Sequence, residues 1–340
     1  MELKKNKILV TGGLGFIGSH TVVELQQEGY EVIIIDDLSN TRIEVLEGIT
    51  EITGIRPEYV QLDLKEKEAV VRFFKDNTID GVIHFAASKA VGESVEDPLK
   101  YYENNISTLV YLLKSMIENN VPHLIFSSSC TVYGQADELP ITENAPVKRA
   151  ESPYGNTKQM GEEIIEDATK VEAISAIALR YFNPIGSHES ALIGELPIGV
   201  PQNLIPFVTQ SAAGLRGELS VFGDDYPTPD GTAVRDYIHV VDLAKAHICA
   251  LQRLLKKDNK SKMEYFNVGT GTGSSVLDVV NAFQKVNQTA LQYKIVDRRE
   301  GDITAAYADT TLANQELGWK AELGLDEALS SAWKWQLKQQ

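Results

Sequence analysis

The chain has 340 residues, 43% hydrophobic and 24% charged, an ordinary globular composition with ample material for a large core. A formal net charge of −16 makes it a poor non-specific ligand for nucleic acid or an anionic membrane surface, and no apolar run approaches the roughly 18 residues of a membrane span. Two cysteines, Cys130 and Cys249, and a polar stretch at 1–7 in place of a secretory leader predict reduced thiols and a cytoplasmic setting.

Residues 7–10 read as a buried strand, 16–27 as a helix closed by Gly29, and 31–35 as a second buried strand. Further strands are predicted at 59–62, 81–85 and 124–127, with helices near 65–76 and 98–118. A helix at 153–170 and a strand at 174–179 follow. This alternation predicts βαβ units and an α/β fold of Rossmann type, a doubly wound parallel sheet covered on both faces. Residues 184–202 are rich in Gly, Pro and Ser and read as a long functional loop. Strands at 219–222, 264–268 and 291–296 then mix with helices at 242–257, 275–286 and 326–336. The expected organisation is a nucleotide-binding domain over 1–182, to which segments at about 234–270 return. A smaller mixed α/β substrate-binding cap spans 183–340, and the ligand cleft is expected between the two.

The run Thr11-Gly12-Gly13-Leu14-Gly15-Phe16-Ile17-Gly18 follows the first strand and opens the first helix. Glycines at that spacing allow a tight turn, close approach to a pyrophosphate and close helix packing, and the helix N-terminus offers N–H donors and a positive dipole end. Asp36 ends the second strand, 18 positions after Gly18. A carboxylate there accepts from both adenosine ribose hydroxyls and repels a 2′-phosphate, which predicts NAD over NADP as cofactor.

Tyr154 and Lys158 stand at i and i+4 of a predicted helix, on one face. An ammonium beside a phenol favours the phenolate, and the expected result is a general base for a substrate hydroxyl. Such pairs are common on solvated helix faces, so the surroundings decide. The run from Ser127 to Gly134 lies just past a predicted strand end, where active sites of open α/β sheets form. Ser129, with Thr131 second, is the expected hydroxyl partner of the reacting group.

Taken together these residues resemble the extended short-chain dehydrogenase/reductase superfamily and, within it, the UDP-glucose 4-epimerase family. The similarity runs from Gly12 to Trp335. It is carried by the glycine turn, His84-Phe85-Ala86-Ala87, Lys89-Ala90-Val91-Gly92-Glu93-Ser94 and the serine run. Further matches are Ser152-Pro153-Tyr154-Gly155 with Lys158, Arg180-Tyr181-Phe182-Asn183-Pro184, Val234-Arg235-Asp236-Tyr237-Ile238-His239, and Arg298-Arg299-Glu300-Gly301-Asp302. The resemblance implies NAD contacts by Gly12, Gly15, Phe16, Ile17, Gly18 and the stretch Asp36, Asp37, Leu38, Ser39, Asn40 and Thr41. It adds Asp63, Leu64, Phe85, Ala86, Ala87, Lys89, Asn104, Ser129, Tyr154, Lys158 and Phe182 to the cofactor set. For a UDP-sugar it implies Lys89, Ser129, Tyr154, Asn183, Asn203, Leu204, Ser220, Val221, Phe222, Arg235, Tyr237, Arg299, Asp302 and Ala306. The activity it implies is epimerisation at C4 through a transient 4-keto sugar. The partner it implies is a second copy, paired through helices near 98–118 and 154–170.

Related 4,6-dehydratases need an Asp-Glu pair just after the active-site hydroxyl, and this chain has Cys130-Thr131-Val132 there. A reductase, or an NAD-binding sensor without activity, are the other readings of the same fold. Ala306 occupies a position where well-known bacterial members carry a tyrosine, and Tyr307 follows it. The smaller side chain predicts room for an N-acetyl group at sugar C2. No histidine has metal-ligand spacing, so no metal is expected. His20, His84 and His239, with Trp319, Trp333 and Trp335, read as packing residues, and Cys130 lacks an activating histidine.

Overall fold

The structure, a computed structural model, describes residues 5–299 and 302–340. Strand and helix alternate from the start: β1 (Lys7–Thr11), α1 (Phe16–Gln27), β2 (Glu31–Asp36), α2 (Val45–Thr53), β3 (Glu58–Gln61), α3 (Lys67–Asp76) and β4 (Gly81–His84). Two short helices, α4 (Val91–Glu96) and α5 (Pro98–Tyr102), precede α6 (Thr108–Glu118), β5 (His123–Ser127), α7 (Pro153–Val171) and β6 (Ser175–Tyr181). Next come β7 (Asn183–Ile185), α8 (Leu204–Ala212), β8 (Leu219–Phe222), β9 (Val234–Arg235), β10 (Tyr237–His239) and α9 (Val240–Lys256). The chain closes with β11 (Met263–Val268), β12 (Ser274–Ser275), α10 (Val276–Asn287), β13 (Tyr293–Val296), β14 (Ala305–Ala306) and α11 (Leu325–Lys338).

Successive residues of a strand point to opposite faces, and both faces here are buried. Ile8 and Val10 of β1, with Val32 and Ile34 of β2, join a core with Val22 and Leu25 of α1 and Leu243 and Leu251 of α9. Leu9, Ile33 and Ile35 face the other way, onto Val70, Phe74, Leu112 and Ile165. That is why the strands read as unbroken apolar runs. The parallel sheet has seven strands in the order β3-β2-β1-β4-β5-β6-β11. The chain winds outward from β1 to β3, then returns to lay β4 on the other side of β1. Ligand crevices of such sheets open at that reversal, past the C-terminal strand ends.

The second half builds smaller sheets: β7 with β10, β9 between β12 and β14, and β8 with β13. Their core holds Ile185, Ile205, Val208, Leu219, Phe283 and Leu329. Between these pieces α9 returns to pack on α1, and β11 pairs with β6.

The single helix expected over 98–118 is interrupted. Residues Glu103–Ser107 widen into a π-helical turn between α5 and α6. Extra-residue turns of this kind leave backbone and side-chain groups free for other partners. Here Asn105 donates to Thr157 of α7 at 3.0 Å and accepts from the Ser88 N–H at 2.8 Å. The helices α2, α4 and α8 and the two-residue strands were not expected, being too short to show a period.

Candidate active site

At the end of β1 the chain turns through Gly12 with φ +69°, and a Cβ there would lie 2.8 Å from the Ala86 nitrogen. No side chain fits between β1 and β4, so the backbone itself lines the crevice. Gly18 allows the equivalent approach of α1, since a Cβ would come within 2.2 Å of the Gly12 oxygen. The first N–H groups of α1, at Phe16 and Ile17, lack intrahelical acceptors. Asp36 is 5% exposed and accepts from the N–H groups of Leu14 and Leu38, both at 3.1 Å, and from Thr41 Oγ1 at 2.6 Å. Burial raises its carboxyl above the ordinary value, against those three hydrogen bonds. The Asp37 carboxylate is taken by an Asx-type turn onto Ser39. Asp63 caps its own loop through Lys65, and Leu64 is buried in the core.

Ser152 caps α7 by accepting from the Gly155 N–H, and Pro153 starts the helix, as sequences of this type do. The cap fixes Tyr154 in the first turn and Lys158 one turn on, both buried. The Ser129 hydroxyl lies beside the Tyr154 phenol and favours its ionised form. Ser129 Oγ accepts from the Thr131 N–H at 3.2 Å. Among the described residues, Thr131 Oγ1 is buried without a hydrogen-bond partner, a hydroxyl free for a ligand. Lys158 donates to the Ser127 carbonyl at 2.6 Å and lies over the Phe126 and Tyr154 rings, 5.1 and 5.8 Å from their centroids.

This geometry corrects the expected depression of the Tyr154 pKa. Burial, with the Tyr181 hydroxyl nearby, holds the phenol well above its ordinary value against the opposing influence of the Ser129 hydroxyl. Lys158 is pushed down to about 8 by burial, opposed by Glu162. Its ammonium reaches the strand carbonyl and the face of the ring, and desolvation outweighs the attraction. Cys130 is pushed up to about 12 by burial, in keeping with its reading as unreactive.

Several supporting residues escaped the sequence reading. Glu162, one further turn along α7, takes a two-pronged bond from Arg180 of β6, at 2.9 and 2.7 Å, and accepts from Ser128 at 2.6 Å. Arg180 also donates to the Tyr133 hydroxyl at 3.0 Å. One buried ion pair thus ties α7, the serine run and the end of β6 together. Ser127 Oγ and the Tyr181 hydroxyl share a hydrogen bond of 2.5 Å. The i+8 spacing of Glu162 from Tyr154 was a usable signal; its partners depend on strand order.

Around the crevice, Asn104 in the π turn donates to Ser88 at 3.2 Å. Phe85 and Ala86 follow β4 at the crevice, and Lys89 is exposed beyond them. Phe182 is buried beside Val132, Tyr133 and Ala306. On the cap side, Arg299 lies 5.3 Å from the Phe222 ring and pairs with Asp302 at 2.9 Å. The Tyr237 hydroxyl feels the charges of Arg235 and Asp302 and is pushed up to about 12 by burial. Arg235 and Ala306 are register partners of β9 and β14, and Asn183 is held by a backbone bond to Asp236. Ser220 is half-buried, whereas Val221 is wholly in the cap core, so only its backbone can meet a ligand. Asn203 and Leu204 open α8. Glu300 and Gly301 of the quoted Arg-Glu-Gly-Asp stretch lie outside the described residues.

The family model described as GDP-mannose 4,6 dehydratase matches residues 9–332. A UDP-glucose 4-epimerase of Bacillus subtilis is 51% identical over 330 residues, covering 97% of this chain and 96% of that protein. The chain belongs to the UDP-glucose 4-epimerase family. Solved structures agree. The epimerase of Stenotrophomonas maltophila, with bound NAD and formylated UDP-arabinopyranose, is 47% identical, covers 99% of both chains and superposes with a TM-score of 0.95. That of Bifidobacterium longum, in complex with NAD+ and UDP, is 47% identical over 98% of both chains with a TM-score of 0.93. The match to a dehydratase model reflects the shared fold. An epimerase site needs no acid–base pair to eliminate water, and Cys130, Thr131 and Val132 supply none.

Proposed function

We propose that the chain is an NAD-dependent 4-epimerase of UDP-hexoses, interconverting UDP-glucose and UDP-galactose. The observation that carries this is the buried cluster of Tyr154, Ser129 and Lys158 at the C-terminal edge of the sheet, Lys158 lying over the Tyr154 ring and bonded to the Ser127 carbonyl, with no carboxylate at 130–132. The relatives' bound NAD and UDP support it. The residues present fit the cofactor: a side-chain-free turn at Gly12, the open α1 N-terminus for a pyrophosphate and Asp36 for a ribose. A bound NAD would supply the hydride acceptor and donor for sugar C4, and its positive nicotinamide would favour the Tyr154 phenolate.

The chain's own groups handle the proton and the orientation. Ser129 and Tyr154 hold the 4-hydroxyl, and Tyr154 takes its proton and later gives it back. Thr131 offers a second hydroxyl. Lys158 steadies the phenolate from beneath the ring. Arg235 and Arg299 grip the diphosphate, so that the 4-keto ring can turn over while the remote UDP stays bound. The test supplies UDP-galactose, UDP-glucose dehydrogenase and the NAD+ that this coupling enzyme reduces, and follows NADH formed from any UDP-glucose. A steady signal supports the reading; no signal, when added UDP-glucose gives one, removes it.

Finer points belong to the same proposal. Ala306 replaces a bulky residue beside the sugar, and UDP-N-acetylhexosamines are included as substrates. The nucleotide-binding unit is 1–182 with the later return, and the cap is the remainder. The active form is a homodimer through α5–α6 and α7; Val95 and Leu99, on helices against α7, are 62% and 77% exposed and supply apolar surface for it. The setting is cytoplasmic. No helix among the described residues is long and apolar enough to cross a membrane.

A further inference from the structure

Glu195 lies in the connection between β7 and α8, and no step above uses it. Its backbone is rigidly seated. A Cβ on Gly194 would lie 2.6 Å from the Trp335 ring, and Trp335 Nε1 donates to the Glu195 carbonyl at 2.9 Å. Its side chain is only 13% exposed although it is acidic and in a loop. One carboxylate oxygen, Oε1, accepts from Asn203 Nδ2 at 2.7 Å and faces Lys89 Nζ at 3.4 Å. Lys89 follows β4 of the large sheet, and Asn203 is the residue before α8 of the cap. Asn203 occupies the N-cap position of α8 but makes no capping bond there. Its carboxamide is spent on Glu195 instead.

We infer that Glu195 is a positioning residue of the proposed UDP-sugar site, holding Lys89 and Asn203 across the cleft and competing with the substrate diphosphate for the Lys89 ammonium. The inference rests on the UDP-sugar reading of this cleft. A negative charge beside a diphosphate site opposes the ligand unless a cation lies between them. Lys89 is that cation, and Glu195 withdraws part of its charge from the anion. Because the Lys89 side chain is 53% exposed, the ion pair is of the modest, screened kind.

The test measures the UDP dissociation constant by titration calorimetry for the parent, Glu195→Gln, Lys89→Met and the double variant. Glutamine keeps an acceptor for Asn203 and loses the charge. It is expected to tighten UDP binding about threefold, the scale of a part-exposed ion pair, with an unchanged melting temperature. In the Lys89→Met background the same change is expected to have no effect, because the competition acts through the ammonium. An unchanged dissociation constant in Glu195→Gln, or an equal shift with and without Lys89, overturns the role given to Glu195 while leaving the proposed function standing. A parent protein that binds no UDP overturns the proposed function itself.

Discussion

Lys158 gives its closest hydrogen bond to the backbone of Ser127, at 2.6 Å, two residues before the serine that meets Tyr154. The bond pins α7 to the end of β5, so base and hydroxyl partner are positioned by one ammonium. That ammonium titrates near 8, below its ordinary value because it is buried. Loss of its charge as pH rises through about 8 is expected to produce an alkaline limb in the pH dependence of kcat. Lys158→Met is expected to lower kcat by roughly 10²–10³ and abolish that limb, as is usual for a group supporting proton transfer. A pH–rate profile of the two proteins checks both. An alkaline limb that survives in the variant assigns it to another group.

The Arg180–Glu162 pair has side chains 6% exposed at each partner. Removing one partner strands a buried charge, at a cost of about 3–5 kcal/mol. Arg180→Met is therefore expected to lower the urea midpoint sharply. Arg180→Met combined with Glu162→Gln, which leaves no stranded charge, recovers part of the loss. A double variant no more stable than Arg180→Met would mean that packing, not charge pairing, sets the cost.

Gly18→Ala places a methyl group against the Gly12 carbonyl, where the ideal separation is 2.2 Å. Backbone cannot yield as a flexible side chain can. The expected cost is about 1–3 kcal/mol of stability from overpacking, with at least tenfold weaker NAD binding as the turn is displaced. Thermal unfolding and cofactor titration read these separately.

Four buried histidines predict the acid limit. Burial holds His20 and His84 down to about 3, and His239 and His247 down to about 4. Above pH 6.5 they are neutral whether the chain is folded or not, and they make no pH-dependent contribution. As pH falls from 6.5 towards 4, the unfolded chain binds protons that the folded chain refuses, and stability drops. Each such group contributes a slope of up to about 1.4 kcal/mol per pH unit. Urea midpoints at pH 7 and pH 5 are expected to show the loss, and His247→Phe to reduce it.

Ala306 is 2% exposed and packs with Val132, Tyr133 and Phe182. Ala306→Tyr is expected to cut turnover of UDP-GalNAc at least tenfold and to change that of UDP-galactose by less than about threefold. Full N-acetyl turnover in the variant would remove this residue as the determinant.

How far the sequence could be read follows from the physics of each signal. The sheet was legible because strands buried on both faces are apolar throughout, as in Val32–Ile35, and because the turn at Gly12 tolerates so few residues. Tyr154 and Lys158 were legible because i,i+4 spacing fixes a shared face. Their proton affinities were not, since spacing conveys proximity but not desolvation, and burial reversed the expected shift on the phenol. Glu162 carried a helical signal, but Arg180 reaches it from a strand whose place depends on the whole topology. The π turn at Glu103–Ser107 and the two-residue strands β9, β12 and β14 have no period to detect. Glu195 belongs to no motif, and only its contacts with Lys89 and Asn203 mark it.

The central claim is a C4 epimerisation in which hydride leaves and returns within one site. The direct measurement incubates the purified protein with UDP-galactose deuterated at C4 in ordinary water, followed by proton and deuterium NMR of the sugar. The expected result is UDP-glucose with deuterium retained at C4. UDP-glucose with the label washed out to solvent, or no UDP-glucose at all, would contradict the account.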